Sequence, residues 1–127
     1  LADGQDAEDL KVFITAYKPS TANIKLYVKL LNGEDGESID DRTWLELTQT
    51  TSSTVVSDSE NRDDFREFEY GIPTASLTGA GGQVQYTTSA GVTYTGFKYF
   101  KIKAVLLSTS SSIVPRVTDF RAIALQI

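Results

Sequence analysis

The densest group of side chains able to do chemistry is the run Glu34-Asp35-Gly36-Glu37-Ser38-Ile39-Asp40-Asp41. Hard carboxylate oxygens, joined by backbone carbonyls from a sharp turn, suit calcium, and Asp35, Glu37, Asp40 and Asp41 are the candidate ligands. The spacing is not that of an EF-hand. The simpler reading is a solvated loop that keeps strands from aggregating, and on it the chain holds no metal and no cofactor. Glu46, Glu67 and Glu69 fall on strand-like segments, but glycoside hydrolysis needs two facing carboxylates, one of them a buried acid. Nothing in the pattern singles one out. Ser and Thr are numerous, yet no Gly-x-Ser-x-Gly elbow or Ser-x-x-Lys pair is present. The chain is therefore read as non-enzymatic.

Aromatic side chains are the second group. Phe13, Tyr17, Tyr27 and Tyr99 fall on strand faces that alternate away from the core, where rings stack on sugars or anchor a protein interface. Subunit packing is the favoured use and a surface glycan the rival. Lys25, Lys29, Lys101, Lys103 and Arg66 alternate with acidic residues and read as a solvated face. Asp119 and Arg121 interrupt what reads as the inward face of the last strand. They form either a buried ion pair, with Arg116 as a second partner, or part of an edge strand whose face meets water. The edge reading is preferred.

The elements that must position these groups are strands. Val12, Ile14 and Ala16 alternate with Lys11, Phe13, Thr15 and Tyr17, and Lys18-Pro19-Ser20 ends the run in a turn. Ile24, Leu26, Val28 and Leu30 alternate with Lys25, Tyr27 and Lys29, as in an antiparallel strand with one face on a core. Asn32-Gly33 and Asp35-Gly36 open a loop that runs to Asp41. Trp44 to Leu47 is a short strand, and residues 48–59 are Ser/Thr-rich around Val55-Val56. A single helical turn is expected near Glu60 to Arg66, capped by Ser57, Asp58 or Ser59. Asp64 to Tyr70 alternates without declaring its inner face. Gly71 to Gln83 is a long connection, and Val84 to Thr88 and Val92 to Thr95 are short strands about a turn at Ala90-Gly91. Phe100, Ile102, Ala104 and Leu106 alternate with Tyr99, Lys101, Lys103 and Val105. After a loop at residues 108–112 and Ile113-Val114-Pro115, Val117 to Leu125 is the last strand, with Val117, Asp119, Arg121, Ile123 and Leu125 read as one face. Some nine short strands with Gly, Pro and Ser turns predict an all-β fold. The class is an antiparallel β-sandwich, jelly-roll-like, with residues 1–8 as a linker or arm and 9–127 as a single domain.

Composition removes whole classes of function. In 127 residues there is no Cys and no His, so thiolate zinc sites, thiol nucleophiles, histidine triads and imidazole bases are out. A formal charge of -5 opposes general nucleic-acid binding, which rests on neutralising phosphates. No run of 18 apolar residues exists, so no membrane insertion is expected. A chain of this mass buries roughly two-thirds of its unfolded surface, enough for one core. The absence of Met predicts an excised or processed piece of a longer protein.

Several segments carry a family resemblance. Leu10-Lys11-Val12-Phe13-Ile14-Thr15-Ala16-Tyr17-Lys18-Pro19 followed by Ile24-Lys25-Leu26-Tyr27-Val28-Lys29 resembles modules of large virion structural proteins in tailed phages, the T4-like myoviruses of cyanobacteria in particular. Asp64-Phe65-Arg66-Glu67-Phe68, Phe97 to Lys103, and Val114 to Leu125 are similar to the same modules, so the likeness spans nearly the whole chain. It implies a component of a baseplate, tail, fibre or neck, located in the virion, oligomeric, with other virion subunits as partners. It implies no catalytic residues. The alternative to this assembly role is a carbohydrate-binding module of a receptor-binding fibre or extracellular protein.

Overall fold

The alternation of apolar residues is realised in two long neighbouring strands, β1 (Asp9–Tyr17) and β2 (Ala22–Leu31). Leu10, Val12, Ile14 and Ala16 of the first and Ile24, Leu26, Val28 and Leu30 of the second are buried in one apolar cluster. The computed structural model describes residues 6–51, 56–58, 60–109 and 114–125. Residues 1–5 of the expected arm, Val55 with its neighbours 52–54, the Ser59 cap, residues 110–113 and the last two residues lie outside the described set.

The remaining strands are β3 (Leu45–Glu46), β4 (Thr48–Gln49), β5 (Arg66–Gly71), β6 (Gln85–Thr87), β7 (Thr93–Thr95), β8 (Tyr99–Ser108) and β9 (Arg116–Leu125). They form antiparallel sheets of four strands (β4-β5-β1-β9), three strands (β3-β2-β8) and two strands (β6-β7). The fold is all-β, and the two larger sheets sharing one core are consistent with a β-sandwich. Among the described residues no helix is long and apolar enough to cross a membrane.

Connectivity fixes which edges lie together. Only Leu47 separates β3 from β4, and these belong to different sheets. Leu47 is buried and its N–H reaches the Leu26 carbonyl at 2.8 Å, so the chain stitches the two layers together along this flank. The other edges, β8 and β9, therefore share the opposite flank. At the N-terminal end, Ala7 pairs with Phe97 and both are buried, so packing begins ahead of Asp9. The approach is close: a Cβ on Gly96, whose φ is +80°, would lie 2.8 Å from the Ala7 carbonyl oxygen. Only glycine fits both the backbone angle and the space.

Two expectations are corrected, and the face left open in β5 is assigned. No helical turn forms at residues 60–66; Asp58 accepts from the Glu60 N–H at 2.9 Å in a turn, and β5 already begins at Arg66. Within β5, Phe68 and Tyr70 face the core and Glu67 and Glu69 face out. In β9 the inward set is Phe120, Ala122 and Ala124, because these stand opposite Ile14, Val12 and Leu10. Asp119 and Arg121 thus lie on the outer face of an edge strand. A register shift between Thr15 and Ala16 breaks the period of two, so Val117 faces inward although Asp119 does not.

Candidate functional site

The acidic loop is held by a buried polar cluster. Asn32, at the end of β2, donates from its backbone N–H to the Tyr86 hydroxyl at 2.8 Å, and its amide donates to the Thr95 carbonyl at 2.7 Å. The Tyr86 hydroxyl donates in turn to Asp35 at 2.7 Å. Asp35 also accepts the Glu37 N–H at 3.0 Å and faces Arg42, whose Nη1 lies 3.5 Å from Oδ2. Arg42 closes the cluster on Glu37, Nη2 to Oε2, at 2.9 Å. The Asp35 and Arg42 side chains are only 1% and 6% exposed.

Burial by itself would raise the Asp35 pKa. The Tyr86 hydroxyl, the Glu37 N–H and the Arg42 guanidinium together outweigh it and hold the carboxyl below its ordinary value. Burial, reinforced by the Asp35 charge, pushes the Tyr86 phenol up.

The four candidate calcium ligands do not converge. Asp35 and Glu37 are turned onto Arg42, Asp40 is turned onto Lys101 at 2.6 Å, and Asp41 is exposed. Among the described residues no group of three metal-ligating side chains forms. Asp40 has a different task. Lys29 and Lys101 stand directly opposite each other on β2 and β8, a like-charge pair that costs stability. The Ser38-capped turn Ile39–Asp41 puts Asp40 between them, with Lys29 Nζ 3.1 Å from its carbonyl oxygen. Its hydrogen bond and charge contact with Lys101 lower the Asp40 pKa.

The four aromatic candidates scatter. Phe13 lies on the outer face of the four-stranded sheet beneath Arg121, 5.1 Å from ring centroid to guanidinium, and Arg121 also binds Glu67 at 3.0 Å. Tyr27 lies on the outer face of the other sheet beneath Lys103 at 4.9 Å, and Tyr99 is exposed at the start of β8. Tyr17, expected to face outward, is 2% exposed. Tyr17 keeps the parity of Phe13 and Thr15 and stands opposite Arg116; it is covered where β1 runs into the Lys18-Pro19 turn, with the Arg116 guanidinium 5.8 Å from its ring centroid. No single concave aromatic platform results.

Two features were missed in the sequence. One is a cavity of about 340 Å³ between β2, β3 and the β6–β7 hairpin, lined by Val28, Leu30, Arg42, Trp44, Gln85, Tyr86 and Thr88 among others. Its local signal was Arg42, a lone cation closing an acidic run, with Trp44 beside it; Val28 and Leu30 come from β2, and the facing wall, Gln85 to Thr88, lies more than forty positions from Arg42. The second feature is the β8/β9 flank. Seven large apolar side chains are exposed among the described residues, and six of them (Tyr99, Leu106, Leu107, Val114, Phe120 and Ile123) belong to β8, β9 or the segment between, at 42% to 57% exposure. Leu106 and Phe120 stand on inner faces, opposite Ile24 and Ile14. Solvent reaches them because β8 and β9 are the outermost strands of their sheets.

None of the protein families, curated proteins or solved structures compared with this chain matches it.

Proposed function

We propose that the chain is a non-enzymatic assembly module that packs against neighbouring subunits of a larger particle through its β8/β9 flank. The observation carrying this is the concentration of exposed large apolar side chains on that flank. Surface hydrophobes scattered over a protein are ordinary, whereas their concentration on two unpartnered edge strands points to an interface. The resemblance to virion structural proteins of tailed phages supplies the particle: a baseplate, tail or fibre component. The nested pairing of β1 with β9 and β2 with β8 supports reading the sandwich as jelly-roll-like, a fold common in capsid proteins.

The test is incorporation. A chain carrying Leu106→Lys and Phe120→Lys is expected to fold, as judged by its thermal melt, and to be left out of assembled particles. A Lys11→Glu control on the outer sheet face is expected to enter normally. Wild-type incorporation of the flank variant would overturn the reading.

The cavity favours a second reading, in which the module holds a single neutral sugar. Its volume is in the range of small-ligand sites, and apolar Val28 and Leu30 face polar Gln85, Tyr86 and Thr88 across it. The buried Arg42 Nε on its wall has no hydrogen-bond partner in the structure. Titration with neutral monosaccharides should then shift the amide resonances of Gln85 to Thr88. Unmoved resonances would remove this reading.

A further inference from the structure

We propose that the flank docks on a second copy of this chain, about a twofold axis that extends both large sheets at once. This rests on the assembly reading and names the partner. Two open edges, one from each layer, lie on one flank, and each belongs to a ten-residue strand. A partner that pairs both must itself present two edges at the same layer spacing, which this chain does.

The residue pattern fits self-pairing. When β9 pairs antiparallel with its copy about Phe120, Asp119 stands opposite Arg121 of the second chain, and Arg121 opposite Asp119. Both residues lie on the outer face, so the two charge pairs form at the rim. The half-exposed Phe120 rings meet on the inner side. Val117 to Leu125 contains no Pro and no Lys, residues that often blunt a free edge. Arg121 gives Nη2 to Glu67, which uses one part of a guanidinium carrying five N–H donors.

β8 obeys the same symmetry. Pairing about Ala104 sets Lys103 opposite Val105, Ile102 opposite Leu106, and Lys101 opposite Leu107 of the copy, with no like charges facing. Pairing about Lys103 or Ile102 would set lysine against lysine. The two centres are also level. Phe120 stands opposite Ile14, three residues before the end of β1, and Ala104 opposite Leu26, four residues after the start of β2. Since β1 and β2 are joined by the turn at residues 18–21, Ile14 and Leu26 differ in height by about one residue, roughly 3.3 Å. One axis normal to both layers therefore serves both strands.

The test uses charge reversal in two separate chains. Asp119→Arg sets Arg against Arg in its own homodimer, and Arg121→Asp sets Asp against Asp. In a one-to-one mixture both pairs become Arg–Asp. By sedimentation equilibrium the wild type is expected at twice 13.9 kDa. Each variant alone should associate about tenfold or more weakly, and the mixture should regain the dimer. Matching thermal melts would show that both variants are folded. A wild type that stays monomeric at millimolar concentration, or a mixture no tighter than its components, would overturn self-docking. In that case, exclusion of the Leu106→Lys, Phe120→Lys chain from particles would leave the assembly reading standing with a different partner, and its normal incorporation would remove both.

Discussion

The two flanks of this molecule are finished in opposite ways. Along β3 and β4 the chain crosses from one sheet to the other, and the edge is covered by a loop, a hairpin and a polar network running from Asn32 through Tyr86, Asp35 and Arg42 to the half-exposed Glu37. Along β8 and β9 two ten-residue strands end their sheets with apolar side chains in water. The covered flank spends polar groups on internal order. The open one keeps apolar surface and backbone hydrogen-bonding edge for something else. Damage to the first should therefore appear as lost stability, and damage to the second as lost association.

The largest expected effect is on the covered flank. Arg42→Leu leaves the Asp35 carboxylate buried beside no cation, a situation that costs about 3–5 kcal/mol, and urea unfolding should register it. Gly96→Ala, which drives a Cβ toward the Ala7 carbonyl at a left-handed backbone angle, should cost about 1–3 kcal/mol by the same assay. Tyr86→Phe removes the hydroxyl that joins Asn32 to Asp35 and is expected to cost about 1–3 kcal/mol. If these three changes left the unfolding free energy unmoved, the two flanks would not differ as described.

Acid sharpens the contrast. The folded-state pKa of Asp35 lies below its ordinary value of 3.8. Its contribution to stability is therefore complete above that value and disappears as pH falls through the lower, folded one. Unfolding free energy should hold steady from neutrality to about pH 5 and decline below about pH 4, and Asp35→Asn should make that decline shallower. An acid limb of equal slope in the variant would show that Asp35 is not part of it. On the open flank, Leu107→Ser and Ile123→Ser should shift stability by no more than about 1 kcal/mol while weakening association. A cost of several kcal/mol there would mean that the flank is core.

What could be read in the sequence follows how one-sided each strand's environment is. β1 and β2 have one face in the core and one toward water, and their alternation of Ile, Leu and Val against Lys is plain. Along β8 the pattern is as clear, although its inner face fades into solvent toward Leu106. β9 was read inside out because Phe120 and Ile123, on opposite faces, are almost equally exposed, and because the inward positions Ala122 and Ala124 carry too little apolar surface to announce themselves. Tyr17 is buried beside Arg116 of β9, a neighbour that no local pattern records. The carboxylates of residues 34–41 were visible as a group, but their partners were not. Asp35 answers to Tyr86 and Asp40 to Lys101, across fifty-one and sixty-one positions of chain, and such pairings belong to topology rather than to composition.

Hydrogen exchange compared between the dilute chain and the chain in its assembled state tests the difference between the flanks most directly. Amides of β8 and β9 are expected to gain protection on assembly, while residues 32–47 of the covered flank exchange at the same rate in both states. Equal exchange of β8 and β9 in the two states, or protection gained only at residues 32–47, would contradict the assignment of the open flank as the interface.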